Sequence, residues 1–272
     1  MNIMSKYFTL FNLIYLRLLK YNLKLKLNNL SSKYDFESSL EIKRNSNVLK
    51  ENGYLKIENF FSLEECKSIV NNIDVYIKNN PKKIWREKSN NSDLRLFGVE
   101  KINKLIDIFN KDKIIYNIGC SYINSPLKCF YTMAGKTSYV ETNNLGSGAG
   151  WHRDSINPSY KSMLYLTDVE TGDGNLQIIE NSNKFENIIH CHSLIDQKLL
   201  DTRFKNEDIE YLVKKNDLKI QNISGKAGTL VLFDGSYIHR GSPVIKKTRY
   251  ALTNYFYLNI DFKKLKLPSP MI

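Results

Sequence analysis

Four side chains in this sequence could do chemistry together. His152 and Asp154 stand in Gly150-Trp151-His152-Arg153-Asp154, His239 in Gly235-Ser236-Tyr237-Ile238-His239-Arg240-Gly241, and Arg249 in Lys247-Thr248-Arg249-Tyr250-Ala251-Leu252-Thr253. Side chains alternate along an extended strand, so residues two apart share a face and His152 and Asp154 can grip one ion. His239 is the candidate third ligand. Two imidazoles and one carboxylate on one side of a metal leave the opposite positions open, which suits non-haem Fe(II) that must bind a cosubstrate and O₂ together. The guanidinium of Arg249 is a planar fork that can hold a carboxylate through two parallel hydrogen bonds, which a lysine cannot imitate. Trp151 and Arg153 point away from the ion by the same alternation and are expected to be packing and surface groups.

Each of these residues taken alone has an ordinary explanation, such as a hydrogen-bonded histidine, a turn aspartate or a surface arginine. The compound pattern is more specific: a glycine-flanked Trp-His-x-Asp, the apolar run Thr229-Leu230-Val231-Leu232-Phe233 leading through Asp234 to His239, and an arginine on the next strand. Two further stretches fit the same order, Gly53-Tyr54-Leu55-Lys56-Ile57-Glu58-Asn59-Phe60-Phe61 at the entrance and Leu164-Tyr165-Leu166-Thr167-Asp168-Val169 after the first ligands. Over residues 51–260 the chain resembles the phytanoyl-CoA dioxygenase-like family of Fe(II)/2-oxoglutarate-dependent oxygenases.

That resemblance implies a mainly β fold with flanking helices around a double-stranded β-helix (jelly roll, cupin-like) core. It implies iron on His152, Asp154 and His239, with Arg249 on the distal carboxylate of 2-oxoglutarate; Ser242 is a candidate second contact to that cosubstrate. The implied reaction consumes O₂, releases succinate and CO₂, and hydroxylates a small-molecule or carrier- or lipid-linked substrate. Halogenation would need a small residue in place of the carboxylate, and Asp154 argues against it. The alternative is a catalytically inactive barrel acting as a binding or membrane-associated protein. Glu180-Asn181-Ser182-Asn183-Lys184 stands where relatives tend to have Pro-Gly-Ser-His, so that loop is expected to make different substrate contacts.

Composition narrows the setting. The 272 residues are 42% hydrophobic and 12% aromatic, ample for one large β-rich domain. Cys66, Cys120, Cys129 and Cys191 are scattered without C-x-x-C spacing, which points to a reducing, cytoplasmic setting and away from a disulfide framework or zinc ribbon. His190 and His192 flank Cys191 without an accompanying carboxylate, so a solvated loop is the expected reading there. The net charge of +12 mildly favours an anionic substrate; no nucleic-acid partner is expected, and the abundance of Asn, Lys and Ile reflects composition as much as function.

The charge is unevenly placed. No acidic residue precedes Asp35, whereas Lys6, Arg17, Lys20, Lys24, Lys26 and Lys33 do. Residues 1–50 are therefore read as an N-terminal amphipathic basic helix followed by a polar linker over 31–49, and residues 51–272 as the oxygenase domain. The apolar run from Tyr7 to Leu19 is short of the ~20 residues a membrane span needs. It is expected to pack on the domain or a second subunit; the other reading lays residues 7–26 peripherally on an anionic membrane.

Within the domain, Tyr54-Leu55-Lys56-Ile57 alternates like a strand, and Ser62-Leu63-Glu64-Glu65 predicts a capping box opening a helix that stops before Pro81. Further helices are expected over Val99–Phe109 and Lys113–Ile118. Strands are expected over Lys128–Met133, Thr137–Thr142, Met163–Leu166, Asn175–Ile179, Thr229–Phe233 and Arg249–Leu258. Gly146, Gly148 and Gly150 lack a following G-K-[ST], so they predict a tight bend before the ligands and no phosphate cradle. Between about Asn183 and Gln221 the chain is expected to leave the barrel, with a helix around Glu207–Val213, either over the open end or as a surface excursion.

Overall fold

A computed structural model of the chain describes residues 3–31, 36–88, 91–142, 144–195, 201–216 and 218–272. Helix α1 (Ile3–Ser31) is followed by α2 (Leu40–Asn52), strand β1 (Tyr54–Ile57) and helix α3 (Leu63–Asn79). The α3 start is as the residue types dictate: Ser62 Oγ accepts from the Glu65 amide while Glu65 accepts from the Ser62 amide, so two orphan donors are satisfied.

The polar stretch before the domain is a correction. Residues 32–35 lie outside the described residues, but Leu40–Asn52 is helical, capped by Ser39 and closed by Gly53 in the left-handed conformation. Only Ile42, Ser46 and Leu49 of this helix are buried. A row of three buried residues, one of them a serine, in a helix otherwise polar but for Leu40 and Val48 is too thin a signal to stand out as periodicity, yet it is enough to dock the helix on the core.

Short β2 (Trp85–Arg86) and β3 (Asp93–Phe97) come next, then α4 (Lys104–Asn110), α5 (Lys113–Ile123) and the long β4 (Leu127–Thr137). The helix expected over Val99–Phe109 divides, because Asn103 caps a new start at α4 after a single 3-10 turn at Val99–Lys101. The expected strand over Thr137–Thr142 does not form beyond Thr137. The chain continues through β5 (Tyr160–Tyr165), β6 (Leu176–Ile179), α6 (Phe185–Leu194), α7 (Asn206–Asn216), β7 (Ile220–Ile223), β8 (Leu230–Asp234), β9 (His239–Gly241) and β10 (Arg249–Leu258).

The strands form two antiparallel sheets, a seven-stranded one in the order β1-β8-β5-β10-β4-β3-β2 and a three-stranded one in the order β7-β6-β9. Their inner faces meet through Tyr165, Val231 and Phe233 on one side and Leu176, Ile178 and Ile223 on the other. This is the cupin-like jelly roll with flanking helices. Alternation divides the large sheet by face: Leu96, Ala134, Leu164, Leu232 and Leu252 are buried against the residues of α3, α4 and α5, whereas their neighbours along each strand face the cavity.

Register sets the cavity rows. Lys161 lies opposite Phe233 and Tyr255, and Tyr255 opposite Tyr131. One row further on, Met163 pairs with Thr253, which pairs with Met133. Beyond that, Tyr165 pairs with Ala251, Ala251 with Gly135 and Gly135 with Arg95. Small residues in this last row leave room where the strands would otherwise fill the interior.

Outside the sheets, α1 lies on the body. Leu10 and Ile14 are buried with Ile156, Ile188 and Ile189, while Asn28 donates to Ser125 Oγ and the Pro126 carbonyl. The His190-Cys191-His192 trio is a second correction: it is on helix α6, with Cys191 and His192 buried. Residues two apart on a helix point about 200° apart, so these imidazoles cannot share an ion.

Candidate metal centre

His152 and Asp154 come together on an extended segment that belongs to neither sheet. His152 is nevertheless locked to the start of β9 by a reciprocal pair of backbone bonds, His152 N to His239 O at 2.9 Å and His239 N to His152 O at 2.7 Å. Direct backbone pairing of the two histidines brings residues far apart in sequence to facing positions, with ring centroids 4.4 Å apart. Asp154 is fixed in turn by its amide, which donates to the Gly235 carbonyl at 2.8 Å.

The ligand atoms of His152, Asp154 and His239 lie within 4.8 Å of one another, the one such group of three among the described residues. Asp154 Oδ1 is 3.8 Å from His152 Nε2, and Asp154 Oδ2 is 4.0 Å from His239 Nε2. With bonds of roughly 2.1 Å an ion holds neighbouring ligand atoms about 3 Å apart, so drawing in by about 1 Å completes the set.

The tautomers are fixed correctly for this task. His152 Nδ1 donates to the Gly150 carbonyl at 3.0 Å and His239 Nδ1 to the Tyr237 carbonyl at 2.8 Å, which leaves both Nε2 lone pairs free for the ion. Burial, reinforced by the neighbouring His239, pushes His152 down to about 3, and burial lowers His239 too. Both rings are thus neutral and ready to ligate at physiological pH. Burial alone would raise Asp154, but the ammonium of Lys161, 2.5 Å from Oδ2, and the neighbouring His239 and His152 together outweigh it and hold the carboxyl down at about 2.

Two glycines permit these approaches. Gly148 has φ +89°, and a Cβ there would stand 2.6 Å from His152 Cε1. At Gly235 an added Cβ would collide with the Asp154 carboxylate. The three glycines before the ligands all have positive φ, as a tight bend requires.

Arg249 opens β10 and faces the same cavity as the triad, a space of about 200 Å³. The residue is only 6% exposed, its Nε has no hydrogen-bond partner, and its Nη2 meets nothing better than the Met163 sulfur at 2.9 Å. A buried guanidinium is costly unless hydrogen-bonded, so Arg249, with its Nε unpaired, could hold a carboxylate. Val244 and Gly174 wall its methylenes, and a Cβ at Gly174 would stand 2.9 Å from Arg249 Cδ. Ser242 does not line the cavity; its hydroxyl donates to Asn175 Oδ1 at 2.8 Å, which sets a turn beside Arg249.

Some residues matter in ways their types did not announce. Arg153, expected at the surface, is 1% exposed and donates to the Ser236 and Ser182 carbonyls, tying the ligand segment to the turn before His239 and to the loop after β6. Trp151 is buried, as expected of a packing group. Asp234 accepts from the Ser159 and Ser236 amides, the Ser236 hydroxyl and the Tyr122 hydroxyl, so it pins the turn that delivers His239. Lys161 and Arg203 add positive charge to the cavity wall. Lys161 had a signal, since it precedes Met163 and Tyr165 at the alternation of β5. Arg203 belongs to the excursion between β6 and β7 and donates to the Gly148 carbonyl at 2.8 Å, so that excursion reaches the site.

Comparison with solved structures returns the same architecture. The epimerase SnoN in complex with Fe3+, alpha ketoglutarate and nogalamycin RO is 12% identical with a TM-score of 0.60, covering 85% of this chain and 92% of its own. The carbocyclase SnoK from nogalamycin biosynthesis is 13% identical with a TM-score of 0.56 (87% and 94%). EctD from S. alaskensis with 2-oxoglutarate and 5-hydroxyectoine is 14% identical with a TM-score of 0.60 (81% and 78%). At such identities the likeness establishes the fold. No curated protein sequence matches the chain. The sequence model of the family described as Phytanoyl-CoA dioxygenase (PhyH) matches residues 49–248, nearly three-quarters of the length. The chain therefore belongs to the phytanoyl-CoA dioxygenase family.

Proposed function

We propose that this protein is an Fe(II)/2-oxoglutarate-dependent oxygenase that hydroxylates a small anionic molecule. The observation that carries the reading is the pairing, in one cavity, of a tautomer-locked His-Asp-His set with a buried guanidinium whose Nε has no hydrogen-bond partner. The donor set fits iron, because two neutral imidazoles and one carboxylate bind a divalent ion and leave its remaining positions open. Bound there, iron supplies the activation of O₂ that is coupled to oxidative loss of CO₂ from the 2-oxo acid.

The protein's own groups do the rest. Arg249 holds the distal carboxylate of 2-oxoglutarate by two parallel hydrogen bonds and so sets which end of the cosubstrate faces the triad. Lys161 donates to Asp154 Oδ2, the oxygen nearer His239, and leaves Oδ1, 3.8 Å from His152 Nε2, for the ion. Phe233, edge-on to His239 at 5.5 Å, and Met163 keep water away from the inner wall. Arg95 is paired with Asp93 and Lys161 with Asp154, yet four cationic side chains, Arg95, Lys161, Arg203 and Arg249, line the cavity against one lining carboxylate, and this balance favours a substrate bearing negative charge. The fold likeness to an epimerase and a carbocyclase keeps other outcomes of hydrogen removal in view, so the product identifies the reaction.

Anaerobic titration with Fe(II) and 2-oxoglutarate tests the reading. A weak visible absorption band of the ternary complex is expected, followed by succinate formation in air when substrate is supplied. No band, and no succinate with any of a panel of anionic metabolites, would leave the barrel as a binding protein only.

A further inference from the structure

Helix α1 has two apolar faces, and the domain covers one of them. At 100° per residue, Leu10, Ile14, Tyr21, Leu25 and Asn28 fall within one narrow sector. That sector is docked: Leu10 and Ile14 are fully buried, Tyr21 donates to the Pro158 carbonyl, and Leu25 packs against the main core. Met4, Phe8, Tyr15, Leu19, Leu23 and Leu30 fall in a sector across the helix, and all are open to solvent, from 46% exposed at Leu19 to 85% at Leu30. A solvated helix would normally be polar there.

The charges say what covers this face. The helix contains no carboxylate at all. Lys6 and Lys24 are engaged by the Ile195 carbonyl and by Asp261, while Arg17, Lys20 and Lys26 make no ion pair among the described residues. Lys26 shares the exposed apolar sector, Lys20 lies to one side of it, and Arg17 borders the docked sector. Pairing with a second copy would set these cations against their own equivalents with no counter-charge. No helix of the described residues is long and apolar enough to cross a membrane, so the geometry is that of a helix lying in an interface.

We infer that α1 docks the protein, apolar face down, on an anionic phospholipid surface. Leucine and aromatic side chains enter the acyl boundary, Lys20 and Lys26 meet headgroup phosphates, and the opposite face stays clamped to the domain. The clamp includes Ile156, two residues beyond Asp154, so the surface-bound helix is fixed to the segment that carries two of the candidate metal ligands. This inference is independent of which reaction the centre performs.

Co-sedimentation of the full chain with vesicles tests it. Binding to an equal mixture of phosphatidylcholine and phosphatidylglycerol is expected to exceed binding to phosphatidylcholine alone by about thirtyfold, given two cations near the surface, and to weaken as salt is raised. Leu19→Ser with Leu23→Ser, and separately Lys20→Glu with Lys26→Glu, are both expected to abolish it. All four positions are solvent-facing, and unchanged circular dichroism and Fe(II) binding will show that the variants fold. Failure of the wild type to bind anionic vesicles, or equal binding to both vesicle types, overturns the proposal. So does a concentration-dependent dimer that Leu19→Ser with Leu23→Ser disperses while vesicle binding is absent.

Discussion

The two faces of the seven-stranded sheet are built from the same strands and differ in almost every other respect. The outer face, with Leu96, Ala134, Leu164, Leu232 and Leu252, is mainly apolar and sealed by α3, α4 and α5, and its buried polar groups are paired, Thr132 with Asn254 and Asn254 with the Phe109 carbonyl. The inner face carries Arg95, Lys161, Met163, Thr253 and Arg249 around a cavity, and the buried Arg249 there keeps its Nε without a hydrogen-bond partner. Stability is concentrated on one face, and the unfavourable burial of polar groups that binding needs is concentrated on the other. Period-two alternation lets one strand serve both without compromise.

Substitutions on the two faces should therefore fail in different ways. The largest effect is expected from His152→Ala or Asp154→Ala, which should abolish turnover and the visible Fe(II)–2-oxoglutarate band while leaving thermal unfolding nearly unchanged. Leu252→Ala, on the other face of β10, should cost about 2–5 kcal/mol in denaturant unfolding yet keep the band in the folded fraction. Arg249→Ala should raise the 2-oxoglutarate concentration needed for half-maximal turnover by about a hundredfold, the scale expected when one partner of a buried charged pair is removed. An unchanged requirement would place the cosubstrate elsewhere.

Smaller effects sharpen the contrast. Lys161→Met removes the donor behind Asp154 and should weaken Fe(II) binding by about tenfold, measured by titration in the absence of 2-oxoglutarate, whereas Lys161→Arg should retain most of it. A gain in affinity on Lys161→Met would instead mean that the ammonium competes with the metal.

The smallest expected effect lies away from the centre. His192 is buried without a hydrogen-bond partner, and burial, with Arg153 nearby, pushes it down to about 3. Its folded value lies below its unfolded one, so the unfolded chain takes up the proton first. Stability is then fully present above the unfolded value near 6.5 and is lost as pH falls toward the folded value. Unfolding free energy should drop by about 1 kcal/mol between roughly pH 7 and pH 5.5 on account of this residue. His192→Leu should remove that part of the slope, and an unaltered slope would assign it to other groups.

Much of this architecture was legible from residue types and spacing. The capping box at Ser62, the apolar run into His239, the glycine bend before His152 and the position of Arg249 all announce themselves locally. The helical character of Leu40–Asn52 did not, because three buried residues in thirteen make a weak period. Arg153 was misjudged for a related reason: alternation says only that it leaves the ion, and both solvent and a nest of carbonyls lie in that direction.

By itself, the sequence determined which groups could bind a metal and an acid, their order along the chain, and the alternation that puts each pair on one face. These follow from side-chain chemistry and backbone geometry within a few residues. Only the tertiary structure decided that His152 pairs with His239 through the backbone, that Lys161 reaches Asp154, that Arg249 is buried with its Nε unpaired, and that α1 keeps one apolar face bare. Those outcomes depend on register between strands and on contacts between distant segments, and no local pattern encodes which partner a buried charge will meet.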